Sequence, residues 1–512
     1  MSKISASRAL QGLRVIDLSR VRAGPTCVRM LADFGADVIR VEPPPGVDPN
    51  EAMFAGNRLG GDFQNLNRNK RSLTLNLKKP EGLAVLKRLI ADADVVVENW
   101  RPDVKARLGV DYESLKAINP RIILASISGF GQDGPYASRP GFDQIVQGMG
   151  GLMSVTGFPD SGPIRAGIAV ADSSTGLYAA IGILVALRER EQSGEGQWVH
   201  ASLLHSQVAM MDFQVARYLN EGDVPRPAGN DHPTSAPMGL FRAADGDFNI
   251  GASGQGTWER LCRVLDRPGW IADPDYANEK QRVANRAKLN AALGEVFATQ
   301  PVAYWVELLN EAGVPSGPVY TVPQLVEDPQ IRHLGVVHET QTSDGKPVRV
   351  ITQPVTLSRT PAGVASAAPY WGEQTDEILR EAGYDDAEIG RAGRDERVGR
   401  TSLVDHEADR TIGDPVLALA PHRVPLLRRI GGRNAGLPSE ASIARCRGAR
   451  QPRHSGAPSR DPRRMAGERH RADAPAEPWR GRCSGGERRQ SRPCDPAKPS
   501  FSVSSALRRS AC

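Results

Sequence analysis

The chain has 512 residues, 40% of them hydrophobic, which is enough for two or three domains with substantial cores. Its net charge of +6 is uneven: residues 401–512 hold 22 Lys and Arg against 11 Asp and Glu, whereas the first 400 residues hold 43 against 48. The basic character belongs to the tail, so the body offers no bulk charge for nucleic acid. MSKISASRALQGLRVIDLSR has no apolar signal core and no later run reaches membrane-spanning length, so a cytoplasmic protein without a membrane anchor is expected. Cys27 and Cys262, far apart in the body, suit a reducing compartment and have no metal-ligand spacing.

The first 130 residues read as alternating strands and helices. RVIDLS (14–19) is a short apolar strand, VRAGP (21–25) a turn, TCVRMLADFGA (26–36) a helix and DVIRVE (37–42) a second strand, which together make a βαβ unit. Arg22, Ala23 and Gly24 occupy the first strand-to-helix turn, where an open parallel sheet binds ligands and a helix N-terminus faces phosphate. Glu42 resembles the ribose-binding acid of a dinucleotide fold, which keeps a nicotinamide-dependent oxidoreductase open, but the GxGxxG fingerprint is missing.

In NRNKRSLTLNLKKPEG (67–82), Leu73, Leu75 and Leu77 alternate with polar residues, so a strand with one buried face is expected. The bases at its ends, Arg68, Lys70, Arg71, Lys78 and Lys79, either neutralise phosphates of a nucleotide-containing ligand or form a solvated rim. A helix (81–93), a buried strand (94–100), a helical stretch through Arg107, and a strand running into the glycine-rich loop of RIILASISGFGQDGP (121–135) continue the alternation. Glycines in that loop permit close backbone approach to a ligand and equally suit a tight turn.

RAGIAVADSSTGLYAAIGILVALRERE (165–191) carries one acid, Asp172, between an apolar run and a small polar cluster. An extended segment is expected to deliver Asp172 to a turn, the serines to cap the following helix, and Gly176 to admit a close neighbour. The helix is apolar on nearly every side, which predicts burial. Asp172 either caps that helix or is a carboxylate nucleophile held near N–H groups that favour negative charge, and spacing alone favours the cap.

The succession VRAGP, DFGADVIRVE, NRNKRSLTLNLKKPEG, DVVVENWRPDV, INPRIILASISGFGQDGPY, RPGFDQIVQGMGGLMSVTG and the Asp172 segment resembles the family III CoA-transferases, typified by formyl-CoA transferase and the CaiB/BaiF proteins. The resemblance covers roughly residues 8–390. It implies a Rossmann-type α/β large domain with a parallel sheet, a smaller inserted α+β domain, and interlocked homodimers. It also makes Asp172 the nucleophile that carries CoA from an acyl-CoA donor to a carboxylic acid acceptor. Coenzyme A is then a co-substrate, with no tightly bound cofactor and no metal. The CoA contacts carried over from the family fall on Val21, Arg22 and Ala23, on Leu75 with Lys78, on Asn99, Trp100 and Arg101, and on Arg107. One departure is Pro43, which stands where formyl-CoA transferase has a base; Arg40 is the candidate substitute.

Alpha-methylacyl-CoA racemases are similar to the same segments and supply the rival reading. They pair the aspartate with a histidine in the stretch matching residues 139–147, because racemisation needs groups on both faces of an α-carbon. Gly141, Phe142 and Asp143 stand here without a histidine, and Asp143 either orients a substrate or starts a helix.

By the resemblance, residues 8–205 form the first part of the large domain, 225–330 the small domain and 335–390 the return. GASGQG (251–256) is loosely similar to an active-site loop of formyl-CoA transferase. His200 and His205 have no partner motif and are expected at the surface or in packing. From about residue 391 the Arg- and Pro-rich composition cannot bury a core and predicts disorder. It is read as an out-of-frame translation of GC-rich DNA in preference to a basic arm for nucleic acid, since it lacks the mixed charge of such arms.

Overall fold

A computed structural model describes residues 6–48 and 57–394. The tail beyond residue 394 lies outside the described residues. Six strands, β1 (Arg14–Asp17), β2 (Asp37–Glu42), β3 (Lys70–Thr74), β4 (Val95–Glu98), β5 (Ile123–Ser128) and β6 (Trp198–Ser202), form one sheet in the order β3-β2-β1-β4-β5-β6. Every pairing is parallel. Such a sheet needs both faces covered, and the Val- and Ile-rich runs of β1, β2, β4 and β5 provide that on both sides.

The helices that cover it are α1 (Ala23–Asp33), α2 (Gly61–Asn67), α3 (Pro80–Ala91), α4 (Pro102–Leu108), α5 (Tyr112–Ile118), α6 (Asp143–Met149), α7 (Val170–Ser193) and α8 (Leu203–Met210). One core layer joins Val15, Val95 and Ile123 of the sheet to Leu31 of α1 and to Ala179 and Ile183 of α7. The opposite layer joins Ile16, Ile39 and Leu124 to Leu86 and Ile90 of α3 and to Leu115 of α5. Strand order and layering are those of a doubly wound Rossmann-type fold, whose ligand crevice lies at the carboxyl ends of the strands where the order reverses, here between β1 and β4.

Beyond this sheet, β7 (Met238–Arg242), β8 (Asp247–Gly251) and β9 (Ser316–Pro318) make a separate antiparallel sheet. It packs against α9 (Gln255–Val264), α10 (Arg286–Phe297) and α11 (Val302–Glu311) around Phe248, Trp258, Phe297 and Trp305. After the hairpin β10 (Val337–Gln341) and β11 (Pro347–Ile351), the chain returns to the first sheet as α12 (Thr375–Glu381). There Ser72 N donates to Gln374 Oε1 at 2.8 Å and Gln374 N to Ser72 O at 3.1 Å, which satisfies an edge that β3 would otherwise leave open.

Four expectations need correction. β3 is buried on both faces, not one, and spans only Lys70–Thr74. α7 begins at Val170, so Asp172 lies in its first turn and the following serines are inside the helix; Ser174 and Thr175 hydroxyls donate back to Ala171 O. Nor is α7 buried all round. Its small residues face inward, while Leu177, Tyr178, Ile181, Leu184 and Val185 are exposed. At 24 residues it is long and apolar enough to cross a membrane by length and composition, contrary to the expectation that no run would be. Its inner face nevertheless packs along α1 and the sheet, as a core helix does.

Candidate active site

Two turns flank the point where strand order reverses, and each is tied down by a buried carboxylate. Asp17, at the end of β1, accepts from Ser19 N at 3.0 Å and from Lys70 Nζ at 2.9 Å. Burial opposes its ionisation, but Lys70 and Arg40 hold its pKa below the usual carboxylate range. Glu98, at the end of β4, accepts from Trp100 N at 2.8 Å. The turns then grip each other: Arg20 N donates to Asn99 Oδ1 at 2.9 Å and Asn99 Nδ2 to Arg20 O at 2.7 Å. Between them Val21 sits at φ +64°, a left-handed conformation that costs a β-branched residue about 1–3 kcal/mol and that clusters at ligand sites.

α7 reaches this turn because of Gly176. A Cβ there would stand 2.6 Å from Ala23 O and 2.8 Å from Thr26 Cβ, so only glycine lets α7 lie against the start of α1. Asp172, one turn earlier, is thereby brought to the Val21–Ala23 turn. The N-terminus of α7 has no side-chain cap of its own. Asp143 of α6 supplies one across space, accepting from Ala171 N at 2.9 Å and from Asp172 N at 3.4 Å, and it also takes Gln147 Nε2 at 2.7 Å and Arg165 Nη2 at 3.3 Å. Burial, then the charge of Asp143, pushes the Asp172 carboxyl up to about 6, while Arg22 pulls the other way. The group is thus a carboxylate at neutral pH, shielded from water and aimed into a cleft.

That cleft has a volume of about 640 Å³, within the range of small-molecule sites. It is lined by Asp172 together with Val21, Arg22, Ala23, Lys78, Asn99, Trp100, Arg101 and Arg107, nine of the ten residues singled out from the sequence. Leu75 is the exception. It is 1% exposed in the core layer under α3, and Leu77, past the end of β3, lines the cleft instead. Sequence reasoning missed Arg20, Ser128 and Leu203 as lining residues, although Arg20 adjoins the turn it had marked. Gly129 and Gly141 also line it; their backbones pack together, a Cβ on Gly129 falling 2.9 Å from Gly141 Cα, so this pair serves a chain crossing. Phe142 stands at the wall where the racemase reading requires a histidine.

Among the bases flanking β3, only Lys78 lines the cleft; it is exposed, and its Nζ donates to Val47 O at 3.1 Å. Arg68, Lys70 and Arg71 are neither phosphate ligands nor a solvated rim, since each is buried against an acid: Asp33, Asp17 and Asp37 respectively. Arg40 does not replace the base missing at Pro43, because its guanidinium is buried and paired with Glu42 at 2.7 Å. Glu42 is equally engaged, by Arg40 and Arg58, and is not open to a ribose. His200 and His205 are exposed and do not line the cleft.

Residues 10–375 match the family described as CoA-transferase family III. The succinate–glutarate CoA-transferase of Agrobacterium fabrum is 40% identical over 384 residues, covering 73% of this chain and 95% of that protein. The succinyl-CoA–D-citramalate CoA-transferase of Chloroflexus aurantiacus is 36% identical over 387 residues, covering 74% of this chain and 95% of that one. Among solved structures, a CaiB/BaiF family protein from Brucella suis superimposes with a TM-score of 0.65 at 36% identity, over 73% of this chain and 100% of that one.

Proposed function

This chain belongs to CoA-transferase family III, and on that premise we propose that it moves CoA from a short acyl-CoA to a dicarboxylic acid by covalent catalysis at Asp172. The observation that carries this reading is that one shielded carboxylate shares a cleft with Lys78, Arg101 and Arg107, exposed bases placed to meet the phosphates of CoA. The Asp172 carboxylate attacks the donor thioester, forming a mixed anhydride and expelling CoA thiolate. Attack of that thiolate on the aspartyl carbonyl releases the donor acid and leaves an aspartyl-CoA thioester. The acceptor carboxylate then attacks this thioester, and the freed thiolate takes the acyl group from the second anhydride, which returns Asp172 as a carboxylate. Each step exchanges one activated acyl bond for another, so the energy of the thioester passes to the acceptor provided that water is kept from the intermediates.

Phe142 in place of a histidine weighs against racemisation, which needs a second acid/base group opposite Asp172. The reading also includes a cytoplasmic homodimer in which the exposed apolar face of α7 is covered by the partner, and a small domain at residues 225–330 around the antiparallel sheet. The test is intact-protein mass spectrometry after incubation with acyl-CoAs and hydroxylamine, on the native chain and on Asp172→Ala. A CoA adduct or hydroxamate at Asp172, absent from the variant, is expected. No adduct, with solvent deuterium entering the α-carbon of a branched acyl-CoA, would replace it by the racemase reading.

A further inference from the structure

We infer that Arg22 recognises the remote carboxylate of the dicarboxylic substrate, and that Asp62 occupies its guanidinium until that carboxylate arrives. This rests on the transferase reading above and departs from it at one point, since the sequence resemblance assigns Arg22 to CoA. The cleft's bases divide by position. Lys78 follows β3, while Arg101 and Arg107 lie at the start of α4 and within it. Arg22 instead immediately precedes α1, whose first residues are packed on α7 at Gly176, one turn from Asp172. Its charge is accordingly felt at Asp172.

The local electrostatics call for such a cation. Asp143 keeps a carboxylate at the mouth of α7 throughout, joined by that of Asp172 when the donor binds, and a dicarboxylic donor or acceptor adds its remote carboxylate to the same region. Ile127, Phe142 and Leu203 of the cleft wall offer nothing to a carboxylate, and Ser128 offers a hydroxyl but no charge. Arg22 Nη2 is 2.7 Å from Asp62 Oδ1, with side chains 33% and 67% exposed. A pair that open to water contributes at most about 1 kcal/mol, so a substrate carboxylate can take over the guanidinium at little cost. Asp62 therefore acts as a carboxylate placeholder.

The experiment uses the full chain with succinate and butyrate as acceptors, equal in carbon number and differing in the remote carboxylate. Loss of one charge-assisted contact in Arg22→Gln should lower the succinate-to-butyrate ratio of kcat/KM by about tenfold to a hundredfold, and Arg22→Lys should restore part of it. Asp62→Asn removes the competitor, so KM for succinate should fall and that for butyrate stay level. Equal losses on both acids in Arg22→Gln, with weakened CoA binding by calorimetry, would return Arg22 to the CoA site and overturn the inference. A rise in succinate KM in Asp62→Asn would overturn the placeholder. Trapping on the same samples keeps the two levels apart. An Asp172 adduct with no acid preference in the native chain sinks the Arg22 assignment alone, and no adduct at all sinks the covalent route and this assignment together.

Discussion

Two groups of basic side chains in the same parallel-sheet domain have opposite fates. Arg68, Lys70 and Arg71 are each 2% exposed or less and lie against Asp33, Asp17 and Asp37, whereas the side chains of Arg101 and Arg107 are 63% and 68% exposed at the cleft and only loosely paired with Asp103. The difference is where along a parallel strand each base falls. The body of β3 lies between helix layers, where a charge persists only if paired and hydrogen-bonded. Past the carboxyl ends, the same residue type faces an open crevice and remains free to bind an anion. Position in the sheet, rather than local charge density, separates scaffold from site.

The sharpest way to break that distinction is to unpair a buried base. Lys70→Met leaves Asp17 fully buried without the cation that contacts it, which should cost about 3–5 kcal/mol, a large part of a typical domain's stability. Urea unfolding measures it. Adding Asp17→Leu should recover most of the loss, because replacing both charges avoids the unpaired one. It should not recover CoA binding, because Asp17 also fixes Ser19 at the start of the Arg20–Ala23 turn. Full recovery of both would mean that the buried pair does nothing for the site.

Asp172 comes next in size and lies on the other side of the comparison, as a shielded charge without an ion-pair partner among the described residues. Burial and the charge of Asp143 push its folded pKa up to about 6, above the 3.8 of an ordinary aspartate, so the folded chain holds this proton more tightly than the unfolded chain does. The group therefore destabilises the fold above pH 6, and that penalty disappears as pH falls toward 4. Asp172→Asn should stabilise the protein by about 1–3 kcal/mol at pH 8 and have little effect on stability at pH 4, by thermal unfolding at the two values. Adduct formation should fall as pH drops below about 6, because the nucleophile must be ionised. Stability unchanged at pH 8 would mean that Asp172 is solvated like the cleft bases.

Much of the fold was legible because it is local. The D-V-I-R-V-E run became a strand over its whole length, and β1, β4, β5, α1 and α3 fall close to where the apolar periods put them, whereas α2 and α5 were not read from the sequence. The ion pairs of β3 were not legible, since Asp33, Asp17 and Asp37 lie 34 to 53 residues away and meet the bases only when the sheet assembles. The early start of α7 has a similar cause: its cap, Asp143, comes from 28 residues upstream, so nothing beside Val170 signals it. Leu75 was misplaced because alternation marks a buried face without saying where the strand ends, and only Leu77 clears the core. Most of the site came from the order of the motifs. Periodicity alone left Asp172 as a helix cap, a role that the structure gives to Asp143.

The smallest effect tests the free side of the comparison. Arg107 is exposed on α4, and its Asp103 contact, an i, i+4 pair at 3.6 Å, contributes little in water. Arg107→Gln should therefore change stability by no more than about 0.5 kcal/mol. If this base meets a phosphate of CoA, the same change should weaken CoA binding by about threefold to tenfold at low salt. The gap between native and variant should close as ionic strength rises, because an exposed charge is screened and a buried one is not. Calorimetric titration with CoA at two salt concentrations decides it. A salt-independent loss, or a loss of stability as large as that of Lys70→Met, would place Arg107 with the buried bases, and the division between scaffold and site would then fail at the strand ends where it was drawn.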